Sequence, residues 1–311
     1  MTTENSSSSA LSVRARRSTT QRRRAESRFA FWLVLPTVIL LSAVIASPII
    51  QAIWRSLFSD TITGKISFIG IQNYLSIFIG SSSSQFWDAM GVTVFLTIVS
   101  VTLETVLGVS MALVMNRAFR GRGIIRAAIL VPWAIPTAVC AVLWRWTFDA
   151  NGIVNSLLGH QILWTAQEWP AKIAIIFADT WKTAPFIALL VLAGLQMIPT
   201  EIIEASKMDG AGAWRRFWTI TFPLVRPALT VAVLFRLLDV LRIYDLPQIF
   251  TGGANNTTTL SMLVVRESIG NLHAGLGSAL STVTFTFIFL CAFAFIRMLG
   301  AQVFPDEDQH R

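Results

Sequence analysis

The sequence predicts an all-α polytopic membrane protein with six transmembrane helices, and three observations carry that prediction. The chain is 54% hydrophobic and only 14% charged, with 11 Trp and 21 Phe, whereas a globular chain carries roughly a quarter charged residues. Its apolar residues are gathered into six runs long enough to cross a bilayer, separated by shorter polar stretches. Its basic residues are sorted by side. A net charge of +8 could suggest a nucleic-acid partner, but Arg14, Arg16, Arg17, Arg22, Arg23, Arg24 and Arg28 crowd the N-terminal tail, and most of the rest occupy alternate loops. That layout encodes membrane topology, not a nucleic-acid patch. Cys140 and Cys291 both lie in apolar runs and the three histidines are scattered, so neither a disulfide framework nor a metal site is expected.

In chain order, residues 1–28 are Ser-, Thr- and Arg-rich without apolar periodicity and are expected to be a disordered, cytoplasmic tail, compatible with anionic lipid. Residues 29–50 form the first span. A cleaved signal peptide is the rival reading, with Val44-Ile45-Ala46 faintly cleavage-like, but the apolar core is too long and Pro48 follows closely. Residues 51–85 form an outside loop that contains Phe68-Ile69-Gly70-Ile71-Gln72-Asn73-Tyr74. The second helix covers about 88–115 and carries Glu104, an intramembrane carboxylate assigned to interhelical packing.

The 116–126 loop holds Arg117, Arg120, Arg122 and Arg126 and no acid, so it faces the cytoplasm. The third helix, about 127–148, is expected to be kinked by Pro132 and Pro136, and Asn151-Gly152 and Asn155 then supply turn chemistry outside. The fourth helix covers about 171–196, the fifth about 226–250 and the sixth about 277–299. The three outside loops hold only Arg55, Lys65 and Arg266. Both termini are therefore expected in the cytoplasm, with 29–300 as the membrane domain and 301–311 as a cytoplasmic C-tail.

The most informative stretch is the polar insert 200–223. Thr200 is a potential N-cap, and Glu201 and Glu204 fall in a first helical turn, where carboxylates meet the positive end of the helix dipole. Asp209-Gly210 reads as a break, with Gly210 able to take the left-handed conformation that ends a helix. A second short helix would place Trp214, Phe217 and Trp218 on one face and leave Arg215 and Arg216 off it. Phe222-Pro223 and Pro227 then close the unit. Such a hairpin suits a knob offered to a partner's groove; the alternative is an amphipathic loop lying on lipid headgroups.

Two intramembrane stretches are too polar to be explained by lipid. Arg236, Asp239, Arg242 and Asp245 recur every three residues. Each step turns a helix by about 300°, so the four would form a drifting ridge of alternating charge. That ridge is either an ion ladder between helices or the wall of a water-filled solute cavity. Trp181-Lys182-Thr183-Ala184-Pro185-Phe186 combines an aromatic platform, a cation and a hydroxyl, a set suited to a carbohydrate.

Glu204-Ala205-Ser206, Asp209-Gly210-Ala211, Ile220 and Pro223 resemble, in order and spacing, the "EAA" loop of binding-protein-dependent ABC importer permeases. The resemblance extends over residues 29–300. Phe68–Tyr74 is similar to the F-x-G-x-x-N-Y signature of the maltose-type sugar permeases. Thr251-Gly252-Gly253-Ala254 is similar to their T-x-G-G-P turn, with Ala254 in place of Pro. The pairing of W-K-T-x-P-F with R-x-L-D-x-x-R-I looks closest to permeases of actinobacterial importers of trehalose-type disaccharides. The resemblance implies a type I ABC importer permease fold. It also implies that Glu204, Ala205, Ser206, Asp209, Gly210, Ala211, Trp214 and Phe217 couple the chain to a cytoplasmic ATPase. Aligned on the motifs, substrate contacts fall on Lys182, Thr183, Phe186, Asp239 and Arg242.

The partners implied are a second permease subunit, two ATP-binding subunits and an extracytoplasmic solute-binding protein in a bacterial cell membrane. No cofactor is implied for this chain itself. It has no P-loop sequence, so ATP would be bound and hydrolysed by partner subunits and the chain is not expected to be an enzyme. A glycerol-phosphate permease remains an alternative, because Lys182 and Arg242 could hold an anion. An ion-driven secondary carrier would predict internal repeats and leaves the 204–223 pattern unexplained. A non-transporting membrane scaffold is the third class.

Overall fold

The structure, a computed structural model, describes the backbone of residues 5–59 and 66–299. The expected C-tail, 301–311, lies outside the described residues. Helices dominate: the described residues add to them one isolated bridge, Phe58 to Phe68. The first helix, α1, covers Asn5–Arg55 and contains Pro36 and Pro48. The backbone of 5–28 is thus helical where irregular chain was expected. No Gly or Pro interrupts that stretch, and its Ala and Arg residues are good helix formers. The described residues up to Trp54 form a compact unit of their own, and those from Arg55 onward form the second.

Within the second unit the helices are α2 (Gln72–Phe78), α3 (Ser83–Met115), α4 (Arg122–Ala134), α5 (Thr137–Thr147), α6 (Ile153–Leu158) and α7 (Glu168–Gln196). They continue as α8 (Thr200–Met208), α9 (Ala213–Arg216), α10 (Phe222–Val240), α11 (Asp245–Thr251), α12 (Leu260–Val265) and α13 (Ala274–Leu299). Wide π-type turns occupy Phe217–Thr221 and Arg266–Gly270. Among the described residues, five helices are long and apolar enough to cross a membrane, and a sixth span arises if α4 and α5 are one broken crossing.

The central pillar is α7, whose apolar window is 72% buried against 39% for α3 and 17% each for the continuous Ala213–Val240 helix and α13. Small residues let its neighbours come close. A Cβ added at Gly108 of α3 would lie 2.7 Å from Ile187 Cβ on α7, and one added at Gly194 of α7 would lie 2.7 Å from Ala228 Cβ on α10. Membrane helices gain little from leaving lipid, so this close backbone approach and its van der Waals contacts carry the association. Ala112, Met115, Ile187, Val191, Val225 and Ala232 fill that seam. A second apolar cluster joins Leu96, Ala174, Ile175, Leu246 and Phe250.

Two expected helices are broken. The third span is bent by 96° between α4 and α5, far more than a kink. Ile135 is extended there (φ −74°, ψ 131°), because the ring of Pro136 disfavours the helical region for the residue before it. The fifth ends at Val240 and resumes at Asp245. Its start also differs: helical backbone runs unbroken from Ala213, so Phe222-Pro223 and Pro227 do not close the preceding unit. The wide turn at 217–221 falls directly before Pro223, which has no N–H to give to an α-helical ladder.

The Phe68–Tyr74 signature holds the chain that follows Arg55. Asn73 Nδ2 donates to the carbonyls of Ser56 and Phe58 at 2.8 and 2.9 Å, and the Tyr74 hydroxyl meets Ser56 Oγ at 2.7 Å.

Candidate solute cavity and coupling hairpin

One arginine organises the interior. Arg236 on α10 is buried, and its Nε and Nη2 donate to Glu104 Oε2 and Oε1 on α3, both at 2.7 Å. The same Nη2 reaches Asp179 Oδ2 on α7 at 3.1 Å, and Nη1 donates to Asp239 Oδ2 one turn along α10. Three helices therefore meet at one guanidinium, whose planar fork matches a carboxylate edge to edge. Glu104 serves interhelical packing, as expected from its position.

Thr183 joins the same network. Its hydroxyl has a single proton, with Glu104 Oε1 at 2.6 Å and the Asp179 carbonyl at 2.5 Å as its acceptors. It is committed to the protein and can only accept from a solute. Asp179 was not singled out by the sequence reading. It lies three residues before Lys182 and four before Thr183, which is the spacing of a shared helical face.

Beside this hub lies a cavity of about 150 Å³. Of the five residues assigned to substrate, Lys182, Thr183, Asp239 and Arg242 line it, and Asp179, Arg236, Tyr244 and Asp245 complete most of its polar wall. Phe186 does not line it: its ring is stacked on Trp133 of α4 at 6.0 Å and meets Phe235 of α10 edge-on at 6.4 Å. Trp181, read as a sugar platform, packs edge-on against Trp144 at 5.3 Å instead.

The continuous ridge of charges is also not what forms. Arg236 and Asp239 share α10, but Arg242 and Asp245 fall beyond its end, where Arg242 Nε donates to the Leu238 carbonyl at 3.1 Å. The break leaves Asp239 with its side chain 66% exposed and Arg242 exposed. Lys182 is only 9% exposed yet makes no ion pair among the described residues. The wall thus carries three cations and three carboxylates, Arg236 already paired and Lys182 and Arg242 free of ion pairs. Such a wall presents hydrogen-bonding groups of both signs. The described residues hold no cluster of His, Cys, Asp or Glu suited to a metal ion.

The 200–223 insert folds as two short helices about a glycine. Pro199, not Thr200, occupies the cap position of α8, and Thr200 is the first helical residue. Gly210 has φ +74°, the Gly210 N–H bonds to Lys207 O at 3.1 Å, and the Ala211 N–H bonds to Ser206 O at 3.0 Å. This paired closure is the Schellman end that a left-handed glycine permits. Ser206 is buried and donates to Ile203 O at 2.7 Å, while Glu204, Ala205 and Asp209 are exposed. Beyond the bend, Trp214, Phe217 and Trp218 form one aromatic cluster, with ring centroids 5.0 to 6.5 Å apart, joined by Phe222. Trp214 remains 75% exposed. A patch of this kind calls for a cover, either lipid or a partner.

Residues 104–304 match the family described as the binding-protein-dependent transport system inner membrane component. The chain belongs to that family. It is a multi-pass membrane protein and a transport permease subunit. It is 41% identical over 288 residues to the trehalose transport system permease protein SugA of Mycobacterium tuberculosis, covering 91% of this chain and 92% of that protein. It is 38% identical over 280 residues to the trehalose/maltose transport system permease protein MalF of Thermococcus litoralis, covering 88% and 94%. Among solved structures, a bacterial alginate ABC transporter in complex with its alginate pentasaccharide-bound periplasmic protein contains a similar chain. The TM-score is 0.79 at 19% identity, covering 91% of this chain and 97% of that one. This last likeness establishes the ABC importer permease fold.

Proposed function

We propose that this permease subunit supplies half of the translocation pathway of an ATP-driven importer for a neutral disaccharide of the trehalose type. Lys182, Asp239 and Arg242 contact the solute, with Thr183 as an acceptor. The observation that carries this reading is the 150 Å³ cavity at the α10 break, where charged groups of both signs meet. Carboxylates and cations side by side accept from and donate to sugar hydroxyls. A glycerol-phosphate anion is the second reading, held by Lys182 and Arg242, which make no ion pair among the described residues. The relatives named for trehalose and maltose transport support the same solute class.

The 201–222 hairpin docks in a cytoplasmic ATPase subunit. Its exposed Trp214, with Phe217 and Trp218, seats in the partner's groove, and Gly210 sets the aim of that aromatic cluster. Glu204, Ala205, Ser206, Asp209 and Ala211 form the rest of the docking element. A second permease subunit, two ATP-binding subunits and an extracytoplasmic solute-binding protein complete the assembly. ATP is bound and hydrolysed by those partners. Both termini lie in the cytoplasm, so a topology reporter at Asn256 reads outside and one at Arg120 reads inside.

The deciding experiment is uptake by the assembled complex in proteoliposomes, with labelled trehalose and labelled glycerol phosphate compared under the same ATP supply. Trehalose uptake that requires ATP supports the reading. Uptake of glycerol phosphate alone, or of trehalose without any ATPase subunit, would overturn it.

A further inference from the structure

A second cavity of about 290 Å³ lies between α11, the 252–258 turn, α12 and the wide turn at 266–270. Tyr244 lines both this cavity and the smaller one beside Arg236, so the two adjoin at this residue. The smaller cavity, about 150 Å³, is below the roughly 300 Å³ at which small-molecule pockets begin; taken together the two fall inside that range.

Tyr244 stands where it does because the fifth span is broken. Tyr244 is the residue before α11, in an unusual backbone conformation (φ −134°, ψ −57°). The break is tied on both sides: Thr259 Oγ1 donates to Ile243 O at 2.8 Å, and Arg242 Nε donates to Leu238 O at 3.1 Å. Thr259 is itself buried, so Tyr244 is held by the packed interior and not by a loose loop.

The second cavity has the composition of a sugar subsite. Tyr244 and Gln248 supply a phenol and an amide with no hydrogen-bond partner among the described residues. Thr258 donates to Gly253 O at 2.8 Å and keeps its lone pairs. Arg266 is held by Gln85 Oε1 at 3.0 Å, and Met262 and Ile269 give apolar surface for C–H faces.

We infer that the second cavity is a further solute subsite, and that one hexose ring of a disaccharide sits on each side of Tyr244, which is the residue that reads the link between them. This rests on the sugar-importer reading above.

The test uses the assembled complex with Cys140 and Cys291 replaced, and two single reporters: Thr137→Cys in the smaller cavity and Val265→Cys in the larger. Each is labelled with a small water-soluble thiol reagent, with and without trehalose. Trehalose at about nine times its dissociation constant should slow labelling about tenfold at both positions, by simple occupancy. Adding Tyr244→Ala should abolish protection at both, whereas Tyr244→Phe, which keeps the ring, should retain most of it. Protection at Thr137→Cys without protection at Val265→Cys would overturn the inference while leaving the sugar reading intact. Protection at neither position would remove the sugar reading and the inference with it. Protection of Val265→Cys by sugar-free solute-binding protein alone would make the larger cavity a docking surface and overturn the inference.

Discussion

Arg236 and Arg242 lie on one segment of chain, six residues apart, and meet opposite ends. Arg236 is 3% exposed and spends its guanidinium on Glu104, Asp179 and Asp239. Arg242 is exposed, with one bond to a backbone carbonyl and no ion pair among the described residues. Both belong to the same repeating pattern in the sequence. The difference arises because α10 packs against α3 and α7 as far as Val240 and then stops. A charge inside the packed length must find partners, since burying it alone costs several kcal/mol; a charge past the helix end can stay without an ion pair. One pattern therefore splits into a structural half and a half left open to the cavity.

The largest expected effect tests the structural half. Arg236→Ala leaves Glu104 and Asp179 buried with their cation gone, a loss of about 3–5 kcal/mol for a broken buried pair. The expected outcome is loss of the assembled complex, read as recovery of co-purified subunits from detergent. Recovery equal to that of the unmodified protein would show that the hub is dispensable.

Next come Asp239→Ala and Arg242→Ala, which should abolish trehalose uptake in proteoliposomes while leaving assembly and basal ATP hydrolysis unchanged. If Arg242→Ala behaves like Arg236→Ala in the co-purification assay, the division between the two arginines is wrong. A smaller effect should come from Gly210→Val, which touches neither arginine. A β-branched residue at φ +74° costs on the order of 1–2 kcal/mol and misdirects the hairpin. The expected result is weakened retention of the ATPase subunit and weakened substrate-stimulated hydrolysis, with trehalose protection in the cavity preserved.

The smallest effect is expected for Thr183→Val. It removes one hydrogen bond to Glu104, worth about 1 kcal/mol or somewhat more to a charged acceptor. A small fall in thermal stability is expected together with a partial fall in uptake, because the solute loses one acceptor as well. Uptake unchanged alongside the stability loss would confine Thr183 to the hub.

The membrane class, the positions of the six apolar segments and the hairpin about Gly210 were legible in the residues alone. Each rests on a local property: length of an apolar run, placement of Lys and Arg, or the left-handed freedom of one glycine before a Schellman end. Lys182, Asp239 and Arg242 were also found as polar residues where lipid would not tolerate them.

Where a side chain goes after that was decided by tertiary packing. Phe186 and Trp181 have the composition of a sugar platform, but Trp133, Phe235 and Trp144 on other helices take up their faces. Spacing of three residues suggested one ridge from Arg236 to Asp245, yet nothing local announces that α10 stops at Val240. Asp179 gives little signal by itself and becomes important only because Arg236, distant in sequence, is brought to within 3.1 Å of it. Sequence periodicity can name the face a residue occupies on its own helix. Only the packing of α3, α7 and α10 determines which of those faces are filled by other helices and which are left open at a break, because that depends on contacts between segments far apart in the chain.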